Sequence, residues 1–317
     1  MTYKKKVYIL VSLVITLLFI YILSFVLDPG KRKGNFFALL DSSLLVMADR
    51  LEIESSRGTV ILERKNNIWS FSTESADLPV KQGRVEDFLA VLSRKEMYSP
   101  RASSNEARER LGLLEENATR IIVRGGAGFP LLDLLIGSGD ALGREVYLQR
   151  TGRNEIFSVE DYLTFYTDDE PSSWFDLRLF PLSGTQKGAG ENLNMVQQVD
   201  VVIPGSDSYV LRRSRNDGSG TDWIVQGEES SALDNPKVET WIRSILWAEA
   251  DNFGFVPPNV IEGSIILRMG DGTDRAIYAG PEYDSCRNAV ISGSDMVYIL
   301  SEWTLNRLFR EKSFFLK

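Results

Sequence analysis

The stretch Gly137–Gly143 reads GSGDALG, a composition that can wrap a phosphate. A phosphate loop needs Gly-Lys-Ser/Thr opening a helix, and a dinucleotide site needs its glycines between a strand and a helix. Here the glycines join two apolar strand patterns, as do those of GGAG from Gly125, so both stretches read as turns. Asp168-Asp169-Glu170 and Glu228-Glu229 are acidic enough to attract a hard cation. A calcium loop, however, alternates its oxygen ligands around a central glycine and ends on a distant glutamate. Neither stretch does this, and both read as solvated loops.

Cys286 has no histidine to activate it, because the chain contains none. That absence excludes a Ser-His-Asp triad, a Cys-His pair, a histidine general base and a His-ligated zinc within this chain. A lone cysteine also forms no intramolecular disulfide. Carboxylate-only chemistry stays open, since any two of the 44 Asp and Glu side chains can meet in a fold as an acid–base pair. Nothing in the sequence selects such a pair. No catalytic, cofactor-binding or metal-ligating residue is assigned.

The elements that would position any site come in two copies. Val85, Phe88, Leu89 and Leu92 are spaced i, i+3, i+4, i+7, one face of an amphipathic helix, and Val238, Trp241, Ile242 and Ile245 repeat that spacing. Asn235-Pro236 predicts an N-cap followed by proline at the first helical position. Before each helix lies a hairpin pattern, TVILER to IWSF across Lys65-Asn66-Asn67 and YVLRR to DWIV across 216–220. After it, RIIVRGGAG at Arg120 matches SIILRMGDG at Ser264, and Ile136-Gly137 matches Ala279-Gly280. VYLQRTGRNEIFSVEDYL then matches AVISGSDMVYILSEWTL, two strands and a helix start. An insertion in the first copy predicts an extra helix around Asn105 to Leu111.

The fold class is therefore α+β: two similar lobes of antiparallel sheet plus helix, expected at 48–180 and 199–317, with a Gly-rich linker at 181–198. Trp69 and Trp223, and likewise Tyr162 and Trp303, occupy equivalent positions, which favours core roles. Trp247 lies off the apolar stripe and is the candidate for a contact surface. Asn117-Ala118-Thr119 is a glycosylation sequon by pattern alone.

Residues 1–33 read as a membrane anchor with its flanks. Val7 to Leu27 is an uncharged apolar run of 21 residues, enough to span a bilayer as a single helix. It lacks the small-residue ending of a cleaved signal. The expectation is a single-pass protein of the cell membrane, N-terminus inside and bulk extracytoplasmic. The net charge is −8, although residues 1–33 hold six Lys/Arg and one Asp. The body is thus strongly acidic, a poor partner for nucleic acid.

VILERKNNIWSF, ADLPVKQGRVEDFLAVL, the following LGL, and LLDLLIGSG with VYLQRTGRNEIFSV resemble the domain of unknown function DUF4340. The resemblance implies a membrane-anchored protein that accompanies gliding-motility-type ABC transporter components, in an accessory, non-catalytic role. It supplies no catalytic residues to carry over. Three expectations follow: an accessory protein binding a protein partner, an extracytoplasmic hydrolase using carboxylates only, or a ligand-binding module using the inter-lobe cleft.

Overall fold

Alternation of apolar and polar residues folds about a third of this chain into strands, and the computed structural model describes residues 14, 16–18, 35–73, 77–167, 170–180, 193–215, 221–228 and 232–317. Of the apolar run Val7–Leu27, only the helical residues 14 and 16–18 fall among these; the expected span otherwise lies outside them. Among the described residues no helix is long and apolar enough to cross a membrane. The chain divides into two units, Met1–Phe175 and Asp176–Lys317.

The first unit contains β1 (Asn35–Phe37), β2 (Ala48–Ser55), β3 (Gly58–Lys65), β4 (Ile68–Ser72), β5 (Asp77–Pro79), helix α1 (Gln82–Ser93), β6 (Glu96–Ala102), α2 (Asn105–Arg110), β7 (Thr119–Gly125), β8 (Pro130–Gly139), β9 (Glu145–Arg150) and β10 (Ile156–Glu160). A helical turn, Thr164–Thr167, and a 3-10 turn, Pro171–Trp174, follow. The strands form one antiparallel sheet in the order β1-β6-β10-β9-β8-β7-β2-β3-β4-β5. Asn66 and Asn67 take φ of 53° and 63° between β3 and β4. Asparagine tolerates this left-handed backbone, which suits a two-residue hairpin to the twist of its strands.

The second unit contains β11 (Val196–Val202), β12 (Tyr209–Arg215), β13 (Thr221–Val225), α3 (Asn235–Leu246), β14 (Asn252–Gly254), β15 (Gly263–Met269), β16 (Asp274–Tyr283), β17 (Cys286–Ile291), β18 (Val297–Ser301), α4 (Glu302–Leu308) and a 3-10 turn, Lys312–Phe315. Its sheet runs β13-β12-β11-β15-β16-β17-β18-β14. Read from β14 to β13, this is the order of β6 to β4 in the first sheet, strand for strand. Among the described residues, the first unit adds β1 and β5 at its edges.

α1 buries Val85, Phe88, Leu89 and Leu92, and α3 buries Val238, Trp241, Ile242, Ile245 and Leu246. α1 covers the sheet face that carries Leu51, Ile53, Leu134 and Ile136. Because side chains alternate along a strand, Leu135 points to the opposite face. There it packs with Ile156, Leu113 and Ala107 beneath the α2 segment.

Three boundaries differ from the sequence reading. The N-cap of α3 is Asp234, which accepts from Lys237 N at 3.2 Å, because Asn235 is engaged elsewhere as the first helical residue. β11 begins at Val196, inside the stretch expected as linker. Residues 176–180 belong with the second unit: Leu179 N donates to Ala248 O at 2.9 Å and Ala250 N to Leu177 O at 2.8 Å.

In both units the connection after the strand that follows the helix crosses the sheet at a glycine. A Cβ at Gly137 would meet Leu111 O at 2.2 Å, and one at Gly280 would meet Pro258 Cβ at 2.3 Å. Gly137→Ala and Gly280→Ala are each expected to destabilise their unit by about 1–3 kcal/mol, the cost of overpacking. Gly83→Ala, with nothing within 4 Å, is the control that keeps or raises stability. Denaturant titration checks all three.

Candidate functional site

Each helix is tied to its sheet by an aromatic strand residue. Gln82 Oε1 accepts from Trp69 N at 2.8 Å and Gln82 Nε2 donates to Trp69 O at 2.7 Å. In the second unit Asn235 Oδ1 accepts from Trp223 N at 2.8 Å and Asn235 Nδ2 donates to Asp222 Oδ1 at 2.8 Å. The guanidinium of Arg64 lies 5.6 Å from the Trp69 ring and that of Arg213 lies 5.2 Å from the Trp223 ring, cations placed for attraction to the ring faces. Trp174 packs edge-on against Phe88 at 5.8 Å. Trp241 packs on Phe315 at 4.9 Å and donates its Nε1–H to Leu308 O at 2.9 Å. These four tryptophans are buried and build the core.

Trp303 does not share that role. Tyr162 is half-buried and its hydroxyl is 2.8 Å from that of Tyr98, but Trp303 is 69% exposed. The buried side of α4 carries Thr304 and Leu308, four apart, so Trp303 falls off that stripe and rests under Arg307 at 4.7 Å. Trp247, at the C-cap of α3, is exposed. Cys286 is free and partly buried at the start of β17.

Several acidic groups are held by partners. Glu52 takes Arg50 Nε at 2.6 Å and Arg124 at 3.0 and 3.2 Å. Burial pushes its carboxyl upward, but the hydrogen bonds from Arg124 and Arg50 outweigh that and leave its pKa lowered. The Arg120 guanidinium, bidentate at 3.0 and 2.7 Å, lowers Asp133 against the opposing effect of burial. In Asp140, backbone N–H donors from Glu145 and Arg144 do the same, and in Asp271 the Thr273 hydroxyl leads. A general acid near neutral pH needs the opposite displacement.

An open groove of about 690 Å³ at one end of the first sheet is lined by Glu96, Asp140, Glu145, Glu160 and Asp161. Arg101 binds Glu145 at 2.6 Å and Ser158 at 2.8 Å. Asp161 accepts from Thr164 Oγ1 at 2.7 Å, and Glu96 pairs with Arg94. Most of these carboxylates are thus engaged within the wall. Among the described residues no group of three or more His, Cys, Asp or Glu could hold a metal ion. Asp168, Asp169 and Glu229 lie outside those residues; Glu228 pairs with Lys312 at 2.6 Å.

The second unit displays apolar side chains on one loop. Between β14 and β15 the loop FVPPNVI leaves Phe255 72% exposed, and Val256, Val260 and Ile261 are exposed with it. Asn288 holds the loop to the sheet, donating to Val256 O at 2.9 Å and accepting from Tyr283 OH at 2.7 Å. Arg287, whose side chain is nearly buried, ties Glu262 Oε2 and Gly280 O at 2.7 Å each. The loop is therefore a shaped surface with apolar side chains outward. The equivalent connection in the first unit is longer, contains α2, and buries Leu113 against Leu135. The sequence reading passed over FVPPNVI. Its signal was two consecutive prolines inside an apolar run, which bars a buried strand.

With these features in place, the family follows. The chain matches the family model of the domain of unknown function DUF4340 over residues 69–262, more than half its length, and it belongs to that family. The matched region starts at Trp69 in the first unit and ends at Glu262 in the second. No curated protein and no solved structure matches it.

The Glu52 cluster sets a pH dependence. A carboxyl whose folded pKa is lowered stabilises the fold above its unfolded value, and that stability is lost as pH falls through the folded pKa. Stability measured by denaturant should therefore fall below the ordinary value of 4.5. Glu52→Gln should flatten this acid limb and cost about 1.5–3 kcal/mol at neutral pH, the range for a hydrogen bond to a charged group. An unchanged acid limb in the variant would assign the dependence to other carboxylates.

Proposed function

We propose that this chain is a membrane-anchored accessory protein that binds protein partners and catalyses nothing itself. The observation that carries this reading is the outward apolar loop of the second unit, Phe255, Val256, Val260 and Ile261 beside Tyr283. Exposed apolar groups gathered on a braced surface suit a protein interface, with aromatic residues as its anchors. The lowered carboxylates and the internally paired acidic groove support a structural role for the acids. The shared order of eight strands in the two sheets supports an origin by internal duplication, after which the two β-strand crossovers diverged. One now covers its own sheet, and the other is left free to meet a partner.

The apolar run Val7–Leu27 supports a reading in which this activity sits at the cell membrane, with the bulk of the chain outside the cytoplasm. Confinement there raises the effective concentration of neighbouring membrane proteins, so a weak interface suffices. The partner class the family resemblance implies is an ABC-type transport assembly of the gliding-motility kind.

Pull-down from detergent-solubilised membranes tests the reading. Phe255→Ala should weaken partner recovery by about 2 kcal/mol or more, the scale of an aromatic anchor. Single Asp→Asn or Glu→Gln changes at the rim should leave recovery close to wild type, since rim charges mainly adjust on-rate. If one such amide change abolishes the deletion phenotype while folding and partner recovery persist, a carboxylate hydrolase replaces the accessory reading.

A further inference from the structure

The first unit exposes a separate apolar surface where the chain enters it. Phe36 on β1, Val46 and Met47 on the 3-10 turn Ser42–Met47, and Phe129 in the β7–β8 turn are all more than half exposed. Packing joins them into one end of the unit. A groove of about 540 Å³ is lined by Phe36, Leu44 and Leu131 together with Lys95 and Arg150. Met47 O lies 3.0 Å from where a Cβ on Gly125 would stand, and Gly125 N donates to Phe129 O at 2.8 Å. Arg64, paired with Asp49, donates to Val46 O, and Arg124, paired with Glu52, donates to Gly128 O.

What faces this surface is set by the tether. Only seven residues, 28–34, separate Leu27 from Asn35, and a chain of that length reaches at most about 25 Å. Three of the seven are Lys31, Arg32 and Lys33. Resting on the reading of Val7–Leu27 as a membrane anchor, we infer that this end of the first unit docks on the lipid bilayer. Phe36, Val46, Met47 and Phe129 enter the boundary between headgroups and acyl chains, as apolar faces of interfacial segments do. Lys95 and Arg150, which line the groove with Phe36, meet anionic headgroups, their stems along the apolar surface and their charges outward. The acidic groove of Glu145, Glu160 and Asp161 lies at the other ends of β9 and β10 from Arg150 and Ile156. The unit rests this apolar surface on the membrane.

The test uses the full chain in vesicles of phosphatidylcholine with a minor share of phosphatidylglycerol. In a Cys286→Ser background, single cysteines replace Val46, Phe129 or Arg57 and carry a nitroxide. Arg57, in the β2–β3 turn, sits at the far end of β2 from Ala48. Power-saturation resonance should find the labels at 46 and 129 reached more readily by oxygen than by a water-soluble nickel complex, with the reverse at 57. If the protein floats with the vesicles and 46 and 129 behave like 57, anchoring stands and bilayer docking is overturned. Shielding of 46 and 129 from both reagents, as beneath another protein, overturns it too. A chain that does not float with vesicles overturns the anchor and the docking together.

Discussion

An α-helix leaves the N–H groups of its first turn without partners inside the helix, and both units close themselves around that gap. The N–H of Lys81 donates to Trp174 O, and that of Asp234 to Phe315 O, each at 2.9 Å. One residue earlier Val80 bridges Phe175 and Leu233 bridges Leu316. The 3-10 turn that ends each unit thus returns to the start of its helix. Its aromatic side chain lands on the aromatic residue that the helix buries, Trp174 on Phe88 and Phe315 on Trp241. Such a pair is worth about 0.5–1.5 kcal/mol beyond its burial. The helix N-terminus is then held by the sheet through Trp69 or Trp223 and by the end of the unit. That tie fixes one end of a helix whose buried stripe already packs on the sheet.

A second correspondence lies on the face away from the helix. Glu52 of β2 pairs with Arg124 of β7, and Asp200 of β11 pairs with Arg268 of β15. Leu51 opposes Val123 and Val199 opposes Leu267 in the two strand pairs, so the charged residues one step on are equivalent. The pairs are not equal in weight. The Glu52 side chain is 11% exposed and accepts from two arginines, its partner Arg124 being 30% exposed, whereas Asp200 is 20% and Arg268 47% exposed. Exposed ion pairs contribute little. The first unit, with α2 laid over part of this face, depends on its charge cluster more than the second does.

Much of this was legible in sequence because it rests on local spacing. The i, i+3, i+4, i+7 stripes marked α1 and α3, alternation marked the strands, and Asn66-Asn67 marked a hairpin. The insertion helix fell where its residues indicated. Features made by distant partners were not legible. Glu52 and Arg124 are 72 residues apart, and nothing near either announces the other. β1 and β5, three residues each, are too short to show a period. Trp303 was misread because likeness of position was taken for likeness of burial, while α4 turns that position to solvent. The apolar loop at Phe255 was hidden by its own composition, since apolar runs usually go inside.

The central strand pair of each sheet also governs the order of events as the chain is made. β2 must wait for β7, and β11 for β15, while the hairpins β2–β3 and β11–β12 close at once. Pairings so far apart in sequence delay folding, because the loop between them must be closed before contacts compensate. The tie at the helix start comes later still, since Trp174 and Phe315 are among the last residues of their units. On the ribosome, the first unit reaches its closing contacts only when residues beyond Phe175 have begun to emerge. The second closes only once its own last 3-10 turn, Lys312–Phe315, has been made. A chain cut short before Lys312 would thus carry a finished first unit and a second one left open, with Trp241 lacking its cover.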